Sequence, residues 1–175
     1  MLVEGAGDLG NGALHPFLTP AHALILLGFA LLLGQQVPFR LKRVMRVFAV
    51  VSAIALACTI PRGIPEIHLA FLVSPALCLG ALVASGRQLP VWGLAGLGGL
   101  AALGIGLDSG LEPASSSNTL KTLLGNWLGM NAATFYLAVC VSHGADKQWA
   151  RTGIRVLGSW IIAISLLVLA FSLKR

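Results

Sequence analysis

Long apolar runs alternate with short polar or breaker-rich stretches along the whole of this chain. The first run, Ala23 to Gly34, is uninterrupted by charge and is preceded by two histidines and two prolines, in Gly12-Ala13-Leu14-His15-Pro16-Phe17-Leu18-Thr19-Pro20-Ala21-His22. Crossing a bilayer takes about 20 residues of helix. The runs predict six helical spans, at about 16–35, 45–60, 66–85, 90–108, 119–141 and 152–173. Between them lie a basic stretch from Gln35 to Arg46, the breaker-rich turn Ile60-Pro61-Arg62-Gly63-Ile64-Pro65, the turn Ser85-Gly86-Arg87-Gln88-Leu89-Pro90, a polar loop from Asp108 to Asn118, and His143-Gly144-Ala145-Asp146-Lys147. Breakers of this kind end helices. A β-barrel would need alternating segments of about ten residues, which are missing. The fold class is therefore all-α, an integral membrane bundle of six transmembrane helices in a single domain over 1–175.

Composition agrees. Hydrophobic residues make up 57% of the chain and charged residues 10%, with mean hydropathy +0.87. That charge fraction is far below the roughly 25% of soluble domains, so a soluble fold could not cover its surface. The net charge of +6 then reports orientation in a bilayer, and no nucleic-acid partner is expected. The opening Met1-Leu2-Val3-Glu4 carries an acid where a cleavable signal would be basic, so no signal peptide is expected. Cys58, Cys78 and Cys140 are isolated in apolar runs and are expected to be packing residues, without a disulfide framework or thiolate metal site.

Charge also sets a topology. Arg40, Lys42, Arg43, Arg46, Arg87, Lys147, Arg151 and Arg155 fall on one side, against Arg62, Lys121, Lys174 and Arg175 on the other. The positive-inside rule puts the first group in the cytoplasm and both termini outside, as in a bacterial inner membrane protein. The outer side then collects Glu4, Asp8, Glu66, Asp108 and Glu112, five of the six acids, with His15, His22 and His68, three of the four histidines. Acids carry little topological weight, so their gathering is not forced by orientation. An acidic, imidazole-rich vestibule suits capture of cations. The bland alternative is a set of loop acids at a membrane surface.

Particular residues sharpen this. Histidine inside a membrane usually faces a cavity or a partner, and neutral imidazole is the commonest metal ligand. His15 and His22 are seven apart, about 10 Å along a straight helix, too far for one ion. Because His15 precedes Pro16, however, it is pushed out of helical geometry and can fold back from a loop. Asp108 and Glu112 are four apart and repel unless a cation or a proton lies between them. His22 and Asp108 are expected to face each other across the first and fourth spans. Gly98, Ala102 and Gly106 form a small-residue stripe that admits a close neighbour and predicts a central fourth span. Trp127, Met130, Asn131 and Thr134 share a face that should point inward and hydrogen-bond across helices.

Two motifs resemble the HupE/UreJ family of small membrane proteins. Its first-helix pattern, His-Pro-x-x-Gly-x-Asp-His, is matched at His15, Pro16 and His22, with Thr19 and Ala21 at the Gly and Asp positions. Its fourth-helix pattern, close to His-Gly-x-Ala-His-Gly-x-Glu, is matched by Gly106, Gly110 and Glu112; Ile105 and Ser109 replace the histidines, and Asp108 is an additional acid. The resemblance implies six spans and an association with nickel or cobalt uptake. It points to a non-enzymatic permease or channel for a divalent transition-metal cation, nickel or cobalt first, as substrate. His15, His22, Asp108 and Glu112 would be the ligands, with Glu66 or His68 completing the shell. No ATP-binding motif is present, so transport would be secondary, and no organic cofactor is implied. The competing reading is a non-transporting accessory subunit of a larger membrane complex. A haem-binding redox protein is a weaker third, since the histidines are not paired at mid-membrane depth. The lipid bilayer is the expected partner; a homo-oligomer or a larger complex is compatible with the small-residue stripe.

Overall fold

The computed structural model describes residues 7–38, 40–59, 69–109 and 116–172. Among them are seven α-helices and no strand: α1 Gly7–Leu18, α2 Pro20–Gly34, α3 Leu41–Cys58, α4 Leu69–Ser85, α5 Val91–Asp108, α6 Ser116–Gly144 and α7 Gln148–Ser172. The last five correspond to the second to sixth expected spans. By length and apolarity α5, most of α6 and α7 can cross a membrane, and α1 with α2 would be a fourth if the bent pair counts as one span. The remaining two fall short for visible reasons. Lys42, Arg43 and Arg46 open α3, and the apolar part of α4 is shorter.

The first expected span is two helices, meeting at a 77° bend. The break lies at Thr19, before the second proline, and not at His15-Pro16 as the sequence suggests. Thr19 is extended, with φ −94° and ψ 109°, and Pro20 opens α2. This is the geometry a residue before proline prefers, and a proline at a first helical position loses no needed bond. Pro16 stays inside α1, buried, where docking on α6 overrides its local preference. That docking is backbone against backbone. A Cβ on Gly12 would run into the Thr122 carbonyl, one on Gly125 into the Leu9 carbonyl, and one on Gly129 into the Ala13 carbonyl. Gly80 of α4 and Gly158 of α7 make a similar contact, each with a carbonyl 2.9–3.0 Å from the other's would-be Cβ.

The central helix is α2, not α5. Ile25, Phe29, Ala30, Leu32 and Leu33 are fully buried, and α2 touches α1, α4, α5, α6 and α7. The small-residue stripe of α5 does admit close neighbours: Gly98 lies under the Phe29 ring and Gly106 against Ala55 of α3. Phe29 in turn stacks on Phe48, centroids 5.4 Å apart. The other face of α5 shows Trp92 and Leu100 to the outside. The glycines make room for larger residues on one side and do not place the helix in the middle. The cysteines also depart from expectation: Cys58, Cys78 and Cys140 are exposed on helix surfaces and unpaired.

The polar face of α6 points inward. Trp127 Nε1 donates to the Ala49 carbonyl at 2.9 Å, and Asn131 Nδ2 donates to Trp127 O at 2.8 Å and lies 3.4 Å from Ser52 Oγ. Met130 and Thr134 are fully buried. Far from α1, two glutamines stitch the turn after α2 to the turn after α4. Gln36 Nε2 donates to Leu32 O at 2.9 Å and Arg87 O at 3.3 Å, while its Oε1 accepts from Leu89 N at 2.8 Å. Gln88 Oε1 accepts from Val37 N at 2.8 Å, and its Nε2 donates to Gln35 O at 3.1 Å.

Candidate metal centre

Helix ends assemble this site. His22 lies in the first turn of α2, positioned by Pro20 at the helix start, and Asp108 is the last residue of α5. His22 Nε2 meets Asp108 Oδ2 at 2.9 Å; the His22 side chain is fully buried and that of Asp108 is 19% exposed. Among the described residues, no other basic side chain lies this close to a carboxylate. Ser109 closes α5 behind it, its backbone N–H and Oγ both donating to Ile105 O, the hydroxyl at 2.6 Å.

The bend between α1 and α2 delivers the second imidazole. His15 and His22 stand edge to face, ring centroids 5.8 Å apart at 66°. A straight helix would hold them much further apart. With metal–nitrogen distances of about 2.0–2.1 Å, two imidazoles on one ion have centroids roughly 5–6 Å apart, so the spacing is compatible with a shared ion.

The chemistry of His22 follows from its contacts. A carboxylate only accepts hydrogen bonds, so the proton in the His22–Asp108 contact sits on Nε2. In the neutral ring Nδ1 then carries the lone pair. That nitrogen is buried and, among the described residues, has no hydrogen-bond partner. A buried polar atom without a partner is rare and costly. An imidazole that gives one N–H to a carboxylate and turns its other nitrogen elsewhere is the usual arrangement of a metal-binding histidine.

The structure brings together three of the six residues singled out from sequence: His15, His22 and Asp108. They adjoin one another, but among the described residues no group of three or more His, Cys, Asp or Glu is disposed to hold one ion. Glu66, His68 and Glu112 lie outside the described residues. The sequence reading missed the Thr19–Pro20 break that carries His15 to His22; Thr19-Pro20 was a second X-Pro step, locally indistinguishable from His15-Pro16.

A family model described as HupE / UreJ protein matches residues 2–168. The chain belongs to the HupE/UreJ family. No curated protein and no solved structure matches it. Membership places it with nickel- and cobalt-related membrane proteins, in agreement with its apolar helices. Ala21, Ile105 and Ser109, where the chain departs from the two motifs it resembles, are 4%, 0% and 1% exposed. The departures from the HupE/UreJ pattern thus fall inside the protein, on the two helix ends that carry His22 and Asp108.

Proposed function

We propose that this chain is a secondary permease or channel for a divalent transition-metal cation of the nickel and cobalt class. One observation carries the reading: His22 is buried with Nε2 held by Asp108 and Nδ1 unpartnered among the described residues, and the His15 ring stands beside it. Its place at a broken helix is consistent, since transporter sites recur where helices are interrupted. In this reading Asp108 holds the His22 ring by its Nε2 proton, and His22 Nδ1 and His15 offer soft ligands to the ion. Carboxylates in place of imidazoles move preference toward harder ions; Glu112, Glu66 and His68 are the residues proposed to complete the shell.

Cells expressing the chain are expected to accumulate nickel or cobalt above a vector control at matched membrane levels, with manganese and zinc measured alongside. Accumulation of none of the four would remove the permease reading. The apolar Ala21 and Ile105 favour the second reading in that case, an accessory subunit without transport, and co-purification of a larger membrane complex would be its signature.

The permease reading takes α1–α2 as one broken span and α3 to α7 as five more, with the basic ends of the helices inside and both termini outside. In a cysteine-free background, an impermeant thiol reagent added to intact cells should label Asn118→Cys and spare Asp146→Cys, both of which are exposed positions. The reverse pattern would invert the site to the cytoplasmic face.

A further inference from the structure

The end of the bundle away from His22 holds a cavity of about 350 Å³, walled in part by Gln35, Gly86, Gln88, Arg151 and Arg155. Among the described residues, its charged wall groups are the two guanidiniums. Arg151 and Arg155 are four apart on α7 and so share a face, where like charges repel. Among the described residues neither has a carboxylate partner, and Asp146 lines a neighbouring cavity instead.

The hydrogen bonds on this wall leave donors over. Gln88 spends its Oε1 on Val37 N and its Nε2 on Gln35 O. Arg151 commits Nε to Ala145 O at 2.6 Å, which leaves its terminal nitrogens. Arg155 lies across Gly86, where a Cβ would stand 2.5 Å from Nη2 and 2.7 Å from Nε. Gly86 has φ +63°, so the same residue makes the turn and leaves room for the guanidinium. The Gln35 side-chain nitrogen is buried and, among the described residues, has nothing to donate to.

We propose that this cavity binds a phosphate-bearing anion between Arg151 and Arg155, with the Gln35 amide as a third donor. Guanidinium forks match phosphate oxygens in pairs and bind them more strongly than neutral donors would. The two sources of such a group are the headgroup of an anionic phospholipid and free inorganic phosphate; basic pockets between membrane helices are known to take headgroups. The site is independent of the metal reading, since it stands at the other end of the helices.

The test uses the full chain purified in detergent, with phosphatidylglycerol, phosphatidylcholine and inorganic phosphate as probes, read by native mass spectrometry and by thermal unfolding. Phosphatidylglycerol should be retained in preference to phosphatidylcholine. Arg155→Gln should weaken that binding about tenfold or more, whereas Arg43→Gln, which removes the same charge outside the cavity, should change it less than about twofold. The same pattern with inorganic phosphate alone would support the site with a soluble source. Failure of both phosphatidylglycerol and phosphate to bind the wild type would overturn it, as would an equal loss in Arg43→Gln. If Arg155→Gln does not survive purification, Arg155→Lys is compared with Arg43→Lys. Lysine keeps charge but loses the fork, so a fall confined to Arg155→Lys supports the site and equal binding in both rejects it.

Discussion

Gly125→Val unseats α1 from α6. The Cβ of any residue at this position would fall on the Leu9 carbonyl, which is backbone and cannot rotate away. Valine adds two further carbons at the point of closest approach, so α1 has to move off as a unit. Gly12 and Gly129 make the same kind of contact to either side, and a shift that relieves one position also opens the others. Overpacking a tight contact costs about 1–3 kcal/mol when side chains can yield and more when they cannot. A fall at or beyond the upper end is expected here, with Gly125→Ala milder. Gly104→Val is the matched control, because a Cβ there meets nothing within 4 Å and valine has better helix propensity than glycine. The measurements are thermal unfolding in detergent and the protease sensitivity of residues 7–18. Equal melting of the Gly125 and Gly104 variants would show that α1 does not depend on this contact. Since α1 carries His15, the Gly125 variant should also lose whatever depends on the two imidazoles standing together.

What could be read in the sequence, and what could not, follows from the same contact. The helices α3 to α7 were legible because each is an apolar run closed by glycine, proline or polar turns. The first helix was not, because Gly7-Asp8-Leu9-Gly10-Asn11-Gly12 has neither the apolar run nor the propensity of a helix. A short segment of that kind is held helical by tertiary packing, and the partner glycines are more than a hundred residues away in sequence. The choice between Pro16 and Pro20 as the break was undecidable for the same reason. Burial failed where the solvent is lipid. On a membrane helix the outward face is as apolar as the inward one, so nothing local told Cys78 or Cys140 which way to point, and nothing told α5 from α2 as the centre. Polar residues did carry that information. Trp127, Asn131 and Thr134 were read inward and are inward, because an amide or indole N–H in an apolar surrounding needs an internal partner. His22 and Asp108 were placed together from topology alone, as polar residues at neighbouring helix ends on one side. His15 reached them only through the 77° bend.

The pair itself gives the sharpest expected result. His22→Gln should abolish metal accumulation while the bundle stays folded, and Asp108→Asn should reduce it without abolishing it. Glutamine keeps an amide N–H that can still reach the Asp108 carboxylate, so the structural part of the loss is that of one altered hydrogen bond, about 1 kcal/mol net. What glutamine lacks is the imidazole lone pair on Nδ1, which no other group uses among the described residues. Asparagine at 108 keeps the shape and an acceptor oxygen but removes the charge that fixes the ring's tautomer. Losing the carboxylate partner of a metal-binding histidine typically costs about 10–100-fold in affinity or activity, so the half-saturating metal concentration should rise by that order. If Asp108 works through His22, the double variant should bind metal no more weakly than His22→Gln alone when the purified proteins are titrated, because residues acting as a unit are not additive. Two independent ligands would instead show separate losses that multiply. Wild-type accumulation by His22→Gln, at matched protein levels, would mean that the ion never touches this ring. The His22–Asp108 contact would then be a structural clasp joining α2 to α5, and the cost of breaking it should appear in thermal unfolding rather than in transport.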